Sequence, residues 1–173
     1  MRKSIFAVVL IAIMLLFVGC TTSFSVNQER NDNEGLKKGA NIAITTPEDG
    51  YYYSTTYYGS GLSVSRIIKD NIRQYTNSCE IVSQKNINDF SSEELNSFDY
   101  IIVPTIFHWE DRATAWSAKP DRIEVGIRIY NSNCELISDS VLTGRSAILT
   151  FAFDEPSIVF DRAFAEFVQT LFY

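Results

Sequence analysis

One histidine, His108, is all that this 173-residue chain holds, beside three cysteines, four prolines and two tryptophans. Zinc sites are usually built from several histidines or cysteines, so neither a metal nor another cofactor is expected. No G-x-S-x-G stretch carries a nucleophilic serine on a sharp turn. Gly59-Ser60-Gly61 is too short for a phosphate loop and lacks the P-loop lysine. Bases are few: 15 Lys and Arg against 21 Asp and Glu leave a net charge of −6. That balance excludes the electrostatic footprint of a nucleic-acid-binding protein and of a domain drawn to anionic lipid. The longest apolar run, Ile5 to Val18, falls short of the roughly 20 residues of a membrane-spanning helix.

What is present begins with that run. Arg2 and Lys3 precede it, and small Gly19 and Cys20 follow. This is the layout of a secretory signal. Phe17-Val18-Gly19-Cys20 resembles a bacterial lipobox. The resemblance implies cleavage before Cys20, a lipidated amino-terminal cysteine, and, with Thr21 next, sorting to the outer membrane with the domain facing the periplasm. Three acyl chains exceed what stable anchoring requires. Loss of residues 1–19 takes two of the 15 bases and none of the 21 acids, moving the charge from −6 to −8. Attachment to the membrane is therefore expected through the lipid alone. Residues 20–39 are polar and without periodicity, and are read as the lipidated terminus and a flexible tether of about 24 Å. Residues 40–173 form one domain.

Within it, Ile42 and Ile44 alternate in a first strand ended by Pro47. Leu62, Val64, Ile67, Ile68, Ile72 and Tyr75 recur at helical spacing, with Ser60 or Ser63 as the cap. Cys79 to Gln84 reads as a second strand. Ser91 and Glu94 form a capping box for a helix of about two turns. Tyr100-Ile101-Ile102-Val103 is a buried strand, interrupted by a bulge or bend at Pro104 and continuing through Thr105 to Glu110. Ile123, Val125, Ile127 and Ile129 alternate with Arg122, Glu124, Arg128 and Tyr130, as a strand with one solvated face does. Glu135 to Gly144 supplies a fifth strand, and Ala147 to Phe153 is a candidate for another. Val159, Phe160, Ala163, Phe164, Phe167, Val168 and Leu171 make the apolar stripe of a last helix entered at Pro156.

The element order β-α-β-α-β-β-β-α predicts an α/β (α+β) fold with a mixed sheet of about five strands in the order 2-1-3-4-5. This pattern resembles the amino-terminal domain of TolB and the lipoproteins that activate penicillin-binding proteins. The run His108-Trp109-Glu110-Asp111-Arg112-Ala113-Thr114, with Trp116-Ser117 and Lys119-Pro120-Asp121-Arg122-Ile123, resembles an uncharacterised family of bacterial lipoproteins carrying a domain of unknown function. That resemblance implies no activity. In this strand order Cys79 and Cys134 lie four strand spacings apart, about 19 Å. A disulfide needs Cα atoms about 4.4–6.8 Å apart, so none is expected.

Two loops carry the candidate site. Pro47 to Gly61 contributes Tyr51, Tyr52, Tyr53, Tyr57 and Tyr58. The second loop contributes His108, Trp109, Glu110, Asp111, Arg112, Trp116, Lys119, Asp121 and Arg122. If their parent strands are neighbours, both loops border a topological switch point, where open α/β sheets bind ligands. Along an extended segment His108 and Glu110 share one face and Trp109 and Asp111 the other. His108 with Glu110 could serve as an acid–base pair, and Glu110 with Asp111 or Asp121 as paired carboxylates for glycoside hydrolysis. Adjacent Glu110 and Asp111 point apart, and no catalytic residue is assigned. Aromatic residues with Arg fit better at a protein interface, for an envelope partner or self-association. The same crevice could bind peptidoglycan or another glycan, or serve an envelope hydrolase. The bland alternative is a braced loop, with Arg112 on Glu110 or Asp121, Trp109 against Trp116, and His108 bonded to backbone.

Overall fold

The computed structural model describes residues 23–30, 35–112, 119–146 and 155–172. The strands are β1 (Ser23–Arg30), β2 (Asn41–Ile44), the short hairpin pair β3 (Tyr51–Tyr52) and β4 (Thr55–Thr56), β5 (Ser78–Ile81), β6 (Tyr100–Glu110), β7 (Arg122–Asn131) and β8 (Leu136–Arg145). The helices are α1 (Ser60–Ile72), the single turn α2 (Ser92–Leu95) and α3 (Pro156–Leu171). Among the described residues, six strands form one mixed sheet in the order β1-β8-β7-β6-β2-β5. The order of the last five is the expected one. β2 is parallel to β5 and β6, and the remaining neighbours are antiparallel.

β1 corrects the tether reading. Ser23 to Arg30 pairs with β8 over its whole length, from Ser23 opposite Arg145 to Arg30 opposite Ser138. Phe24 and Val26 pack against the core from this edge. Leu36, also assigned to the tether, is 1% exposed, and its N–H donates to the Leu171 carbonyl at 2.6 Å. A strand edge and a core opening each recruited apolar side chains from a segment too polar on average to register.

The main core lies between one sheet face and α1 with α3. Ile42, Ile44, Ile102, Ile123, Val125, Ile127 and Ile129 meet Val64, Ile68 and Ile72 of α1 and the expected stripe of α3. Gly144 is where α3 comes closest to the sheet: a Cβ there would lie 2.6 Å from Val159 Cγ1. A smaller cluster of Ala43, Ile101, Val103 and Phe90 covers the other face of β2 and β6. Among the described residues, no helix covers that second face over β7, β8 and β1.

Two details differ from expectation. β6 runs unbroken through Pro104, which pairs with Ile127, and the bulge falls at Phe107, between Ile106 and His108. Pro104 is tolerated because its ladder partner found another donor. Thr45 N–H reaches the Ile102 carbonyl at 3.0 Å, so the next parallel bond would run from residue 104 to the Thr45 carbonyl. Proline has no N–H, and Ser65 Oγ of α1 donates to that carbonyl at 3.0 Å instead. At the start of α1, neither Ser60 nor Ser63 caps. Gly59, at φ 86°, is the cap residue, the Asp49 carboxylate accepts from Gly61 N–H at 2.9 Å, and Ser60 Oγ accepts from Gly50 N–H at 2.8 Å. The Ser91–Glu94 capping box is present, although it opens a single turn.

Candidate functional site

β2 and β6 are adjacent and parallel. α1 leaves β2 over one face, and the chain returns to β6 past α2 on the other. The carboxyl ends of these strands form the switch point, and the described parts of the two predicted loops meet there. Gly50 backs directly onto Trp109, leaving no room for a side chain between them. β3 lies alongside the far half of β6, where β2 has already ended.

Glu110 is the centre of this junction, only 2% exposed. Its carboxylate meets His108 Nε2 at 3.2 Å and accepts from Arg112 Nε. Arg112 also donates through a terminal nitrogen to the Tyr52 hydroxyl at 3.3 Å, and its guanidinium stands 5.8 Å from the Tyr52 ring centre. The Tyr52 and His108 rings meet edge to face at 5.1 Å. The Arg112 backbone N–H donates to the buried Asp121 carboxylate. Asp121 N–H in turn donates to Ser146 Oγ at 2.8 Å. Burial works to raise the Glu110 pKa, but hydrogen bonds from Arg112, His108 and Tyr52 outweigh it and hold the carboxyl below its ordinary value. The Arg112 pKa is raised, first by its bond to Glu110. That of Tyr52 is raised, first by its hydrogen bond with Tyr53 and then by burial. A general acid needs a raised carboxyl pKa, and Glu110 has the opposite.

Of the remaining predicted residues, Trp109 faces the main core and is buried there, so it is no surface anchor. Asp111 and Lys119 are exposed and Arg122 is half-buried opposite Glu110; Arg122 Nε is buried without a hydrogen-bond partner among the described residues. Tyr51, Tyr53 and Tyr58 are exposed, whereas Tyr57 packs partly onto the core. Trp116 and Cys20 lie outside the described residues, as does the candidate strand Ala147 to Phe153. Cys79 and Cys134 are free thiols. Among the described residues, no group of three or more His, Cys, Asp or Glu is arranged to hold a metal ion. No helix of the described residues is long and apolar enough to cross a membrane.

Beside this network opens a pocket of about 410 Å³ lined by Tyr57, Tyr58, Ser63, Trp109, Asp111 and the start of α3 from Glu155 to Ser157. The α3 contribution is not visible in the sequence, where Glu155 and Pro156 signal only a helix start. Nothing local to them points across the sheet.

Fold and site together define an open α/β sheet with an aromatic crevice at its switch point, backed by an ion-pair brace. The chain belongs to the family described as a domain of unknown function, DUF4823, whose profile matches residues 34–171. No curated protein matches it. Among solved structures, a PelC dodecamer from Paraburkholderia phytofirmans is similar at a TM-score of 0.66, with 15% identity, over 86% of this chain and 97% of that one. A point variant of that PelC, also a dodecamer, gives 0.59 and 14% identity over 83% of this chain and 95% of that one. A Xanthomonas campestris protein gives 0.49 and 9% identity over 81% and 86%. The likeness is one of fold. The expected kinship with TolB and the penicillin-binding-protein activators is not supported by these comparisons.

Proposed function

We propose that this chain is a lipoprotein of the outer membrane whose periplasm-facing domain is non-catalytic and works by assembling with further copies of itself or with an envelope protein. The observation that carries the non-catalytic part is the saturation of Glu110. The buried carboxylate nearest the crevice is engaged by His108, Arg112 and Tyr52, which leaves it serving as a brace. Self-assembly is supported by the likeness of the fold to PelC, which crystallised as a dodecamer, and by the sheet face over β7 and β8 that no described helix covers. Anchoring rests on the Gly19-Cys20 signal in the sequence. The test is the native mass of the full-length protein purified in detergent, with in-cell crosslinking. A discrete oligomer, or one defined heteromeric species, is expected. A monomer throughout, with no crosslinked product in cells, would refute the assembly reading.

A second reading is favoured by the pocket. Two tyrosines, two carboxylates and serine hydroxyls around about 410 Å³ suit a peptidoglycan or other glycan segment. Retention on purified sacculi, lost with Tyr58→Ala, would support it. Absence of both retention and muropeptide release would remove it.

A further inference from the structure

The register of the sheet fixes which end of the domain adjoins residue 20. Ser23 lies opposite Arg145, Arg145 opposite Arg122, and Arg122 opposite Glu110. The first residue of β1 is therefore at the same pole as the carboxyl end of β6 and the tyrosine hairpin. Only three peptide steps separate Cys20 from Ser23, a reach of at most about 10 Å. The opposite pole, at the β7–β8 turn that carries exposed Cys134, lies about 30 Å away along β7.

Exposed apolar surface follows the same axis. The large hydrophobic residues exposed among those described are Tyr51 (65%), Tyr53 (86%), Tyr58 (90%), Phe107 (51%), Leu62 (38%) and Ile158 (38%). The three tyrosines belong to the hairpin and its exit. Phe107 sits three residues before the end of β6. Leu62 and Ile158 occupy the first turns of α1 and α3, the two helix ends that border the crevice. All six lie toward the pole near Ser23, and none at the pole of Cys134. Tyr53 is moreover held at φ 51°, a conformation rare for a side chain of its size, at the tip of the hairpin. Scattered exposed hydrophobics are ordinary; a set gathered at one end marks an interaction surface.

We infer that this pole is a membrane-facing surface: the hairpin tyrosines, with Phe107, Leu62 and Ile158, rest in the head-group region of the bilayer to which Cys20 is tied. Tyrosine suits that zone, its ring in the apolar boundary and its hydroxyl in water. The short lead from Cys20 to β1 holds the domain down on this face. The inference rests on the lipid anchor proposed above and not on the oligomer.

Full-length lipoprotein reconstituted into phosphatidylethanolamine–phosphatidylglycerol vesicles provides the test. An environment-sensitive dye is placed on Tyr53→Cys in a Cys79→Ser/Cys134→Ser background, or on native Cys134 in Cys79→Ser. With spin-labelled lipid present, the dye at position 53 is expected to shift to the blue and lose at least half its emission. The dye at Cys134 should be unaffected. Vesicle flotation and palmitate labelling are read on the same samples. If both are positive and position 53 is unquenched, or Cys134 is quenched as strongly, the orientation is wrong while the anchor stands. A position-53 dye shielded only by a crosslinked second copy likewise overturns it. If flotation and labelling fail, the anchor falls and this inference with it.

Discussion

The Ser65–Thr45–Pro104 arrangement makes a quantitative prediction that uses both sides of the sheet–helix contact. Ser65 and Thr45 are fully buried, and the Ser65 hydroxyl donates to the Thr45 carbonyl. In the wild-type background Ser65→Ala leaves that carbonyl without its donor, because Pro104 has no N–H to offer. A buried acceptor stripped of its partner costs about 1–3 kcal/mol. In a Pro104→Ala background the new amide at position 104 supplies the missing parallel-ladder bond, and the same Ser65→Ala change should cost under about 0.5 kcal/mol. The expected coupling is about 1–2 kcal/mol, which corresponds to about 2–8 °C in Tm for a domain of this size. Urea unfolding of the four proteins by circular dichroism measures the cycle. Hydrogen exchange should show the new amide at position 104 protected in the Ser65→Ala/Pro104→Ala variant. Equal costs of Ser65→Ala in the two backgrounds would refute the reasoning and reduce Ser65 to a small core residue.

Three further outcomes follow from the same structure. Glu110→Gln should destabilise the domain by about 1–3 kcal/mol, because the buried carboxylate gives up its charge-assisted bond from Arg112; a loss under about 0.5 kcal/mol in urea unfolding would contradict the brace. The folded Glu110 pKa lies below its ordinary value of 4.5, so its contribution is complete above that pH and disappears as pH falls through the folded value; the wild type should lose more stability on acidification than the Gln variant. Leu36→Ala should cost about 2–5 kcal/mol in the same unfolding assay, whereas a residue of a free tether would cost nothing measurable. Gly144→Ala should cost about 1–3 kcal/mol by pressing on Val159, with the loss relieved by Val159→Ala.

The parallel half of the sheet is legible in the sequence because its signals are local. Ile42 and Ile44 alternate, Ser91 and Glu94 cap, and the α3 stripe repeats at helical spacing. Strand order follows from crossover rules applied to those elements. β1 escapes such a reading because Phe24 and Val26 supply only two apolar beats before Asn27, Gln28, Glu29 and Arg30, and it is the partner edge of β8 that makes a strand of them. Pro104 reads as a break because the sequence does not reveal that β2 ends beside it, or that a serine of α1 stands ready as donor. At the site, alternation alone places His108 and Glu110 correctly on one face. That Trp109 turns inward is not legible, since alternation says the two faces differ but not which is buried.

The same alternation decides how the two loops divide their labour. With Trp109 in the core and Glu110 on the other face, the end of β6 offers a fixed floor on one side and a charged clamp on the other. Arg112 closes that clamp onto Tyr52, the neighbour of the hairpin residue with the unfavourable backbone. A tyrosine at positive φ on a two-residue strand pair would relax if the hairpin were free. The clamp, the close approach of Gly50 to Trp109 and the bond from Tyr57 N–H to the Gly50 carbonyl are what hold it. Charge and burial are thus invested in stiffening, while the exposed rings of Tyr51, Tyr53 and Tyr58 carry no charge and face outward from a rigid base. Such an arrangement suits recognition of a surface better than turnover of a substrate. Glu110, through Arg112 and Tyr52, stiffens the base from which those rings project, and it is on the rings that function should be sought.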